Sequence, residues 1–248
     1  MTPSLRHTLS SLIAPALLCL ASLPQAGHAA SVTGSGRSAS ESRDLAEFQA
    51  IVLSGSMDLV VRQATGQSVE VAADDNLLPL LETVVETTSH GATLQVRWKK
   101  GSSMTTRSKV LVSVLVPRLT ALVATGSGDL RVEQFSTPVF NLSLTGSGDA
   151  KLTGLSAGEL GISISGSGDV GGTGTAAKIT ISIAGSGDVR LTEMAADEVS
   201  VSIAGSGDAA VNASKTLTVS IAGSGDVTYT GNAALKSRVA GSGSVTKR

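Results

Sequence analysis

The chain has 248 residues, 41% of them hydrophobic but only 2% aromatic and 16% charged. A net charge of −1 leaves no basic footprint for nucleic acid. Aromatic rings usually supply much of a globular core's bulk; a core filled with Val, Ile and Leu instead suits a narrow cross-section.

Residues 1–30 read as a secretory signal peptide. Arg6 and His7 precede the apolar run Leu12–Leu20, and Gly27-His-Ala29 or His28-Ala-Ala30 offers a small-residue cleavage site, so the mature chain is expected to start at Ala30 or Ser31. Leu17-Leu18 before Cys19 do not supply the small residues that a lipid-attachment signal needs. Cleavage removes that single cysteine, and with it disulfide and thiol chemistry. No other stretch reaches the roughly 18 apolar residues of a membrane-spanning helix. An exported protein of the periplasm or cell surface is therefore expected.

Residues 31–44 are expected to be a mobile lead-in or an irregular first coil. Residues 45–248 are expected to form one β-helix domain, irregular over 45–118 and regular over 119–248. Ile51-Val-Leu-Ser-Gly-Ser-Met-Asp-Leu-Val-Val61 alternates: Ile51, Leu53, Gly55, Met57, Leu59 and Val61 on one side, Ser56 and Asp58 on the other. Val69–Ala73 reads as a strand. Asp74-Asp-Asn76 before Leu77–Val85, with Pro79 in the first turn, predicts a short helix or turn, with Asp74 and Asp75 as cap and solvated turn residues. Leu94–Trp98 alternates as a strand, Gly101–Lys109 is a polar loop, and Val110–Val116 is a strand stopped by Pro117.

From here one tetrad organises the chain. Gly-Ser-Gly-Asp occurs at 126–129, 146–149, 166–169, 185–188, 205–208 and 223–226, and a seventh copy at 241–244 ends in Ser. The spacings are 20, 20, 19, 20, 18 and 18 residues, the period of a solenoid. Around each copy the sequence alternates. In Ile179–Leu191 the residues Ile179, Ile181, Ile183, Gly185, Gly187, Val189 and Leu191 share one face, and Ser186 and Asp188 the other. A flexible Gly/Ser linker would not keep its glycines in phase with β-branched residues. The expected fold is all-β: a single-stranded, right-handed parallel β-helix of 18–20 residues per coil, bent at Gly-x-Gly. Segments such as Thr192–Glu198 and Asn212–Thr216 are expected to be exposed return loops that absorb the length differences.

No catalytic residue and no cofactor is expected. His90 stands alone in a turn, where a Ser-His-Asp triad would need a partner carboxylate; zinc would need Cys or His clusters. The carboxylates that could hold calcium are Asp129, Asp149, Asp169, Asp188, Asp208 and Asp226. Their arrangement departs from the calcium-binding nonapeptide, because Asp follows the last glycine directly and the period is about twice as long. The expected role is an outward ladder bonding turn amides, with net repulsion between stacked carboxylates.

Phe48–Leu59 (FQAIVLSGSMDL), Val71–Leu78 (VAADDNLL) and the Gly-Ser-Gly-Asp ladder resemble the bacterial family described as putative auto-transporter adhesin, head GIN domain, from about Asp44 to the C-terminus. The resemblance implies an exported β-helix with a role in adhesion and no identified active site. Three functions fit: a non-catalytic module that binds a surface polysaccharide or protein through Ser/Thr/Asp ladders, a β-helix enzyme acting on polysaccharide, or a ligand-free envelope structural protein. The enzyme reading rests on fold analogy, and only Trp98 and Tyr229 could serve it as sugar platforms. The sequence leaves the oligomeric state open.

Overall fold

The computed structural model describes residues 30–248. The expected signal peptide, Ala30 excepted, lies outside the described residues. The N-terminal strands are β1 (Ala30–Thr33), β2 (Ser38–Arg43), β3 (Ala50–Ser54), β4 (Asp58–Gln63), β5 (Ser68–Asp74), β6 (Leu81–Thr88), β7 (Gly91–Trp98), β8 (Ser102–Thr105) and β9 (Leu111–Val116). The coils continue through β10 (Ala121–Gly126), β11 (Leu130–Glu133), β12 (Ser136–Gly146), β13 (Ala150–Gly166), β14 (Val170–Gly185) and β15 (Val189–Gly205). They end in β16 (Ala209–Gly223), β17 (Val227–Thr230), β18 (Ala234–Gly241) and β19 (Val245–Lys247).

From β10 onward each strand pairs in parallel with its counterpart in the adjacent coil, as a β-solenoid requires. Register is strict along the longest leg: Ile162, Ile181, Val201 and Val219 stack, as do Ile164, Ile183, Ile203 and Ile221. These side chains are buried, and those between them point outward. Alternation thus makes each coil amphipathic, and stacking turns the apolar sides into one continuous core.

The return legs are strands, not loops. Met194, Ala196 and Ala213 are buried within β15 and β16. The two-residue difference in coil length is absorbed there, by register shifts between Leu191 and Ala195 and between Ala196 and Glu198. Small inward residues are what a tight return leg can hold, and a run such as Met-Ala-Ala-Asp-Glu hides that alternation behind its charges.

The N-terminal segment does not stack in chain order. β3 and β4 lie between β10 and β11 on one side and β7 and β9 on the other. The chain thus passes beneath its first coil over residues 64–118 before resuming above it. Two expectations are corrected in this region. Residues 31–44 are not a coil of the solenoid: β1 pairs with β8, and β2 runs antiparallel to β5. The short helix or turn expected after Asp74–Asn76 is present as the 3-10 helix Leu78–Leu80, and from Leu81 the run continues as β6, which pairs antiparallel with β7 across the turn Ser89-His90. Within Gly101–Lys109, Ser102–Thr105 is strand.

Asp74 is not a solvated cap. It is 1% exposed and accepts hydrogen bonds from Thr106 Oγ1 at 2.7 Å and Ser108 Oγ at 2.6 Å. Those bonds, Ser108 first, hold its carboxyl below the ordinary value against the opposing effect of burial. Asp75 pairs with Arg37 and accepts from Ser35. The two carboxylates therefore tie the loops after β1 and β8 to the end of β5.

Candidate functional site

Each tetrad is the same corner of successive coils. The first glycine has φ between +124° and +144° from Gly126 to Gly241, a conformation open to glycine. Its carbonyl accepts the N–H of the next coil's serine, as from Ser167 to Gly146 at 2.9 Å. Close stacking imposes the second glycine. A Cβ on Gly207 would stand 2.1 Å from the Gly187 carbonyl oxygen and 3.0 Å from Ile183 Cγ2.

The aspartates complete the corner. Each backbone carbonyl of Asp169, Asp188, Asp208 and Asp226 accepts from the residue after the previous Asp. This leaves the aspartate N–H without a ladder carbonyl, and the preceding carboxylate takes it. Asp169 donates to Asp149 Oδ1, Asp188 to Asp169, Asp208 to Asp188 and Asp226 to Asp208, at 2.7–2.9 Å. Ser244 donates both N–H and Oγ–H to Asp226. Asp58, which the sequence placed outward but outside the ladder, is its first rung and accepts the Asp129 N–H at 3.0 Å.

At Asp169 the capping bond and a neighbouring cation lead over repulsion. Burial pushes the Asp169 carboxyl up, but the Asp188 amide and the Arg190 guanidinium outweigh it and hold it below its ordinary value. Arg190 bridges Asp169 at 2.8 Å and Asp188 at 2.7 Å. Of the six calcium candidates, Asp149, Asp169, Asp188, Asp208 and Asp226 each spend one oxygen on an amide. Asp129 is the exception: among the described residues no such bond reaches it from the Asp149 N–H. The described residues contain no group of three or more His, Cys, Asp or Glu arranged to hold a metal ion.

Beside the corner lies a flat outward face. Its successive rows are Asn141, Ser143, Thr145; Gly161, Ser163, Ser165; Thr180, Ser182, Ala184; Ser200, Ser202, Ala204; and Thr218, Ser220, Ala222. All are exposed or half-buried, and none is charged. The return leg differs: Glu159, Lys178 and Glu198 stack there, and Lys215 bridges Asp197 at 3.0 Å.

At the N-terminal head of the corner a groove of about 730 Å³ opens between the first two rungs and the segment after β8. Trp98 lines it, half-buried, with Cδ1 and Nε1 each 3.4 Å from where a Cβ on Gly55 would stand. Tyr229, the other aromatic expected as a platform, is 8% exposed and belongs to the core. His90 is an exposed turn residue.

The model of the family described as putative auto-transporter adhesin, head GIN domain, matches residues 47–233. The chain belongs to this family. Among solved structures, a putative adhesin from Bacteroides fragilis superimposes with a TM-score of 0.79 at 22% identity, covering 88% of this chain and 100% of that one. A putative lipid binding protein from Parabacteroides distasonis gives 0.73 at 24% identity, with the same coverage. A putative adhesin from the same species gives 0.68 at 25%, again over 88% and 100%. These likenesses carry the fold. The curated proteins contain no match. Among the described residues no helix is long and apolar enough to cross a membrane.

Proposed function

We propose that this head GIN protein is an exported, non-catalytic binding module of the cell envelope, adhesin-like in role, whose flat face engages a surface polymer. One observation carries the reading: five consecutive coils present the uncharged rows from Asn141 to Ala222, while the corner and the return leg carry the charge. A rigid array of small hydroxyl and methyl groups meets an extended neutral surface without desolvating any ion. Such a face gains by repetition, because each coil adds a weak contact at fixed spacing.

The test is retention of the purified protein on insoluble polysaccharides and on whole cells. Wild type is expected to be retained, and a Ser182→Glu, Ser202→Glu double variant to be released at unchanged melting temperature. Release of reducing ends by the wild type, or undiminished retention of the double variant, would overturn the reading.

A further inference from the structure

The groove at the head of the corner breaks the pattern of the regular coils in three ways. The tryptophan is unique in the chain. It follows Arg97, which pairs with Ser54, so its ring stands one step below Gly55 in the column that glycine otherwise occupies. Lys109 Nζ lies 3.4 Å from Asp58 Oδ2 and is largely exposed. Asp129, which lines the groove, is the ladder carboxylate that caps no amide of the next coil. Beside it the Ser56 and Ser127 hydroxyls bond each other at 2.9 Å.

We propose that this groove is a binding subsite for a neutral saccharide. This rests on reading the protein as a polymer-binding module, and it says where one sugar unit of the polymer is held. A pyranose ring has an apolar C–H face and a rim of hydroxyls. The half-buried indole supplies the surface for the first, as an amphipathic ring does at binding sites. Hydroxyls of the rim donate to the free Asp129 carboxylate and to Asp58 Oδ2, as charge-assisted bonds. Lys109 donates to a sugar oxygen. Two carboxylates against one lysine disfavour an acidic sugar, since like charges brought together are costly. The volume falls within the roughly 300–1,000 Å³ of small-ligand sites.

Because Trp98 is the only tryptophan, its fluorescence reports on the groove in the unmodified protein. Cellotetraose, maltotetraose and tetra-N-acetylchitotetraose are the neutral probes, and tetragalacturonate the acidic one. At least one neutral probe is expected to shift the emission saturably, with little dependence on salt. By calorimetry, Asp129→Ala and Trp98→Leu are each expected to weaken that probe by about tenfold or more. The melting temperature of Asp129→Ala should match wild type, which separates lost binding from lost fold. Silence of every neutral probe, binding of tetragalacturonate alone, or full affinity in both variants would overturn the proposal. If no neutral probe binds but the wild type still retains insoluble polymer, the groove reading alone fails and the flat face stands. If the Ser182→Glu, Ser202→Glu variant loses the polymer but still binds the oligosaccharide, the groove stands alone.

Discussion

The regular coils and the segment from Phe48 to Val116 meet the same requirement, one backbone stacked closely on another, with different side chains. From Gly126 to Gly243 two columns of glycine run up the corner, and each would lose its fit to a single added carbon. One coil lower the second column holds Met57, fully buried, and two coils lower the first holds Trp98. The lower coil is built by strands that arrive from another part of the chain, so its corner need not superimpose on the one above. Repetition therefore demands glycine, and a non-repeating end can replace it with large side chains.

The sharpest way to break this comparison is to exchange the two solutions. Gly207→Met would drive a side chain into the Gly187 carbonyl and Ile183. It is expected to cost about 4 kcal/mol or more and to unravel the coils around it. Met57→Gly empties a buried site and is expected to cost about 3 kcal/mol while the fold persists. Gly171→Ala, with nothing within 4 Å of its added carbon, is the control and should be neutral. Urea melts of the three proteins measure the order. Equal losses in Gly207→Met and Gly171→Ala would mean that the corner can yield.

A second test lies in the N-terminal segment alone. Because Asp74 is held below its ordinary value in the folded protein, its contribution is fully present above its unfolded pKa, near 3.8. It is lost as pH falls below that value and through the lower folded one. Asp74→Asn is expected to lower the melting temperature at neutral pH and to flatten its fall below about pH 4. A variant that melts like wild type at neutral pH would show that Thr106 and Ser108 do not depend on the carboxylate.

The regular half of this molecule was legible because every local signal repeats. The tetrad, the parity of Ile179 to Leu191 and the period near 20 all point to the same coil. The corner's chemistry was partly legible: that Asp188 faces out follows from parity, but that its carboxylate receives the Asp208 amide depends on how the ladder skips a carbonyl there. In the N-terminal half β3, β4, β5, β7 and β9 were legible but not their order, and β1, β2, β6 and β8 were not read as strands. Nothing local to β3 says that β10 will lie on one side of it and β7 on the other. Asp74 looked like a cap because its partners, Thr106 and Ser108, come from a distant segment. Trp98 stood out as a possible sugar platform, and only the stacking of β7 under β3 places it at the corner's head.

The smallest effect separates rungs of one ladder. Asp208 accepts the Asp226 amide at 2.7 Å, whereas Asp129 accepts none from the next coil. Asp208→Ala leaves that N–H unpaired and is expected to cost about 1 kcal/mol, whereas Asp129→Ala should be neutral within ~0.5 kcal/mol. Asp208→Asn keeps an oxygen for the amide and should fall between wild type and the alanine variant. Repulsion along the row would give the opposite order, since any substitution that removed a charge would then stabilise the protein, most at low ionic strength. Melting temperatures of the three variants at low and high salt decide between the two. If Asp208→Ala is the more stable at low salt and the gain fades as salt is added, the carboxylates repel more than they cap. If it is less stable at both, the aspartate side chain supplies the acceptor that a parallel ladder lacks where each coil turns.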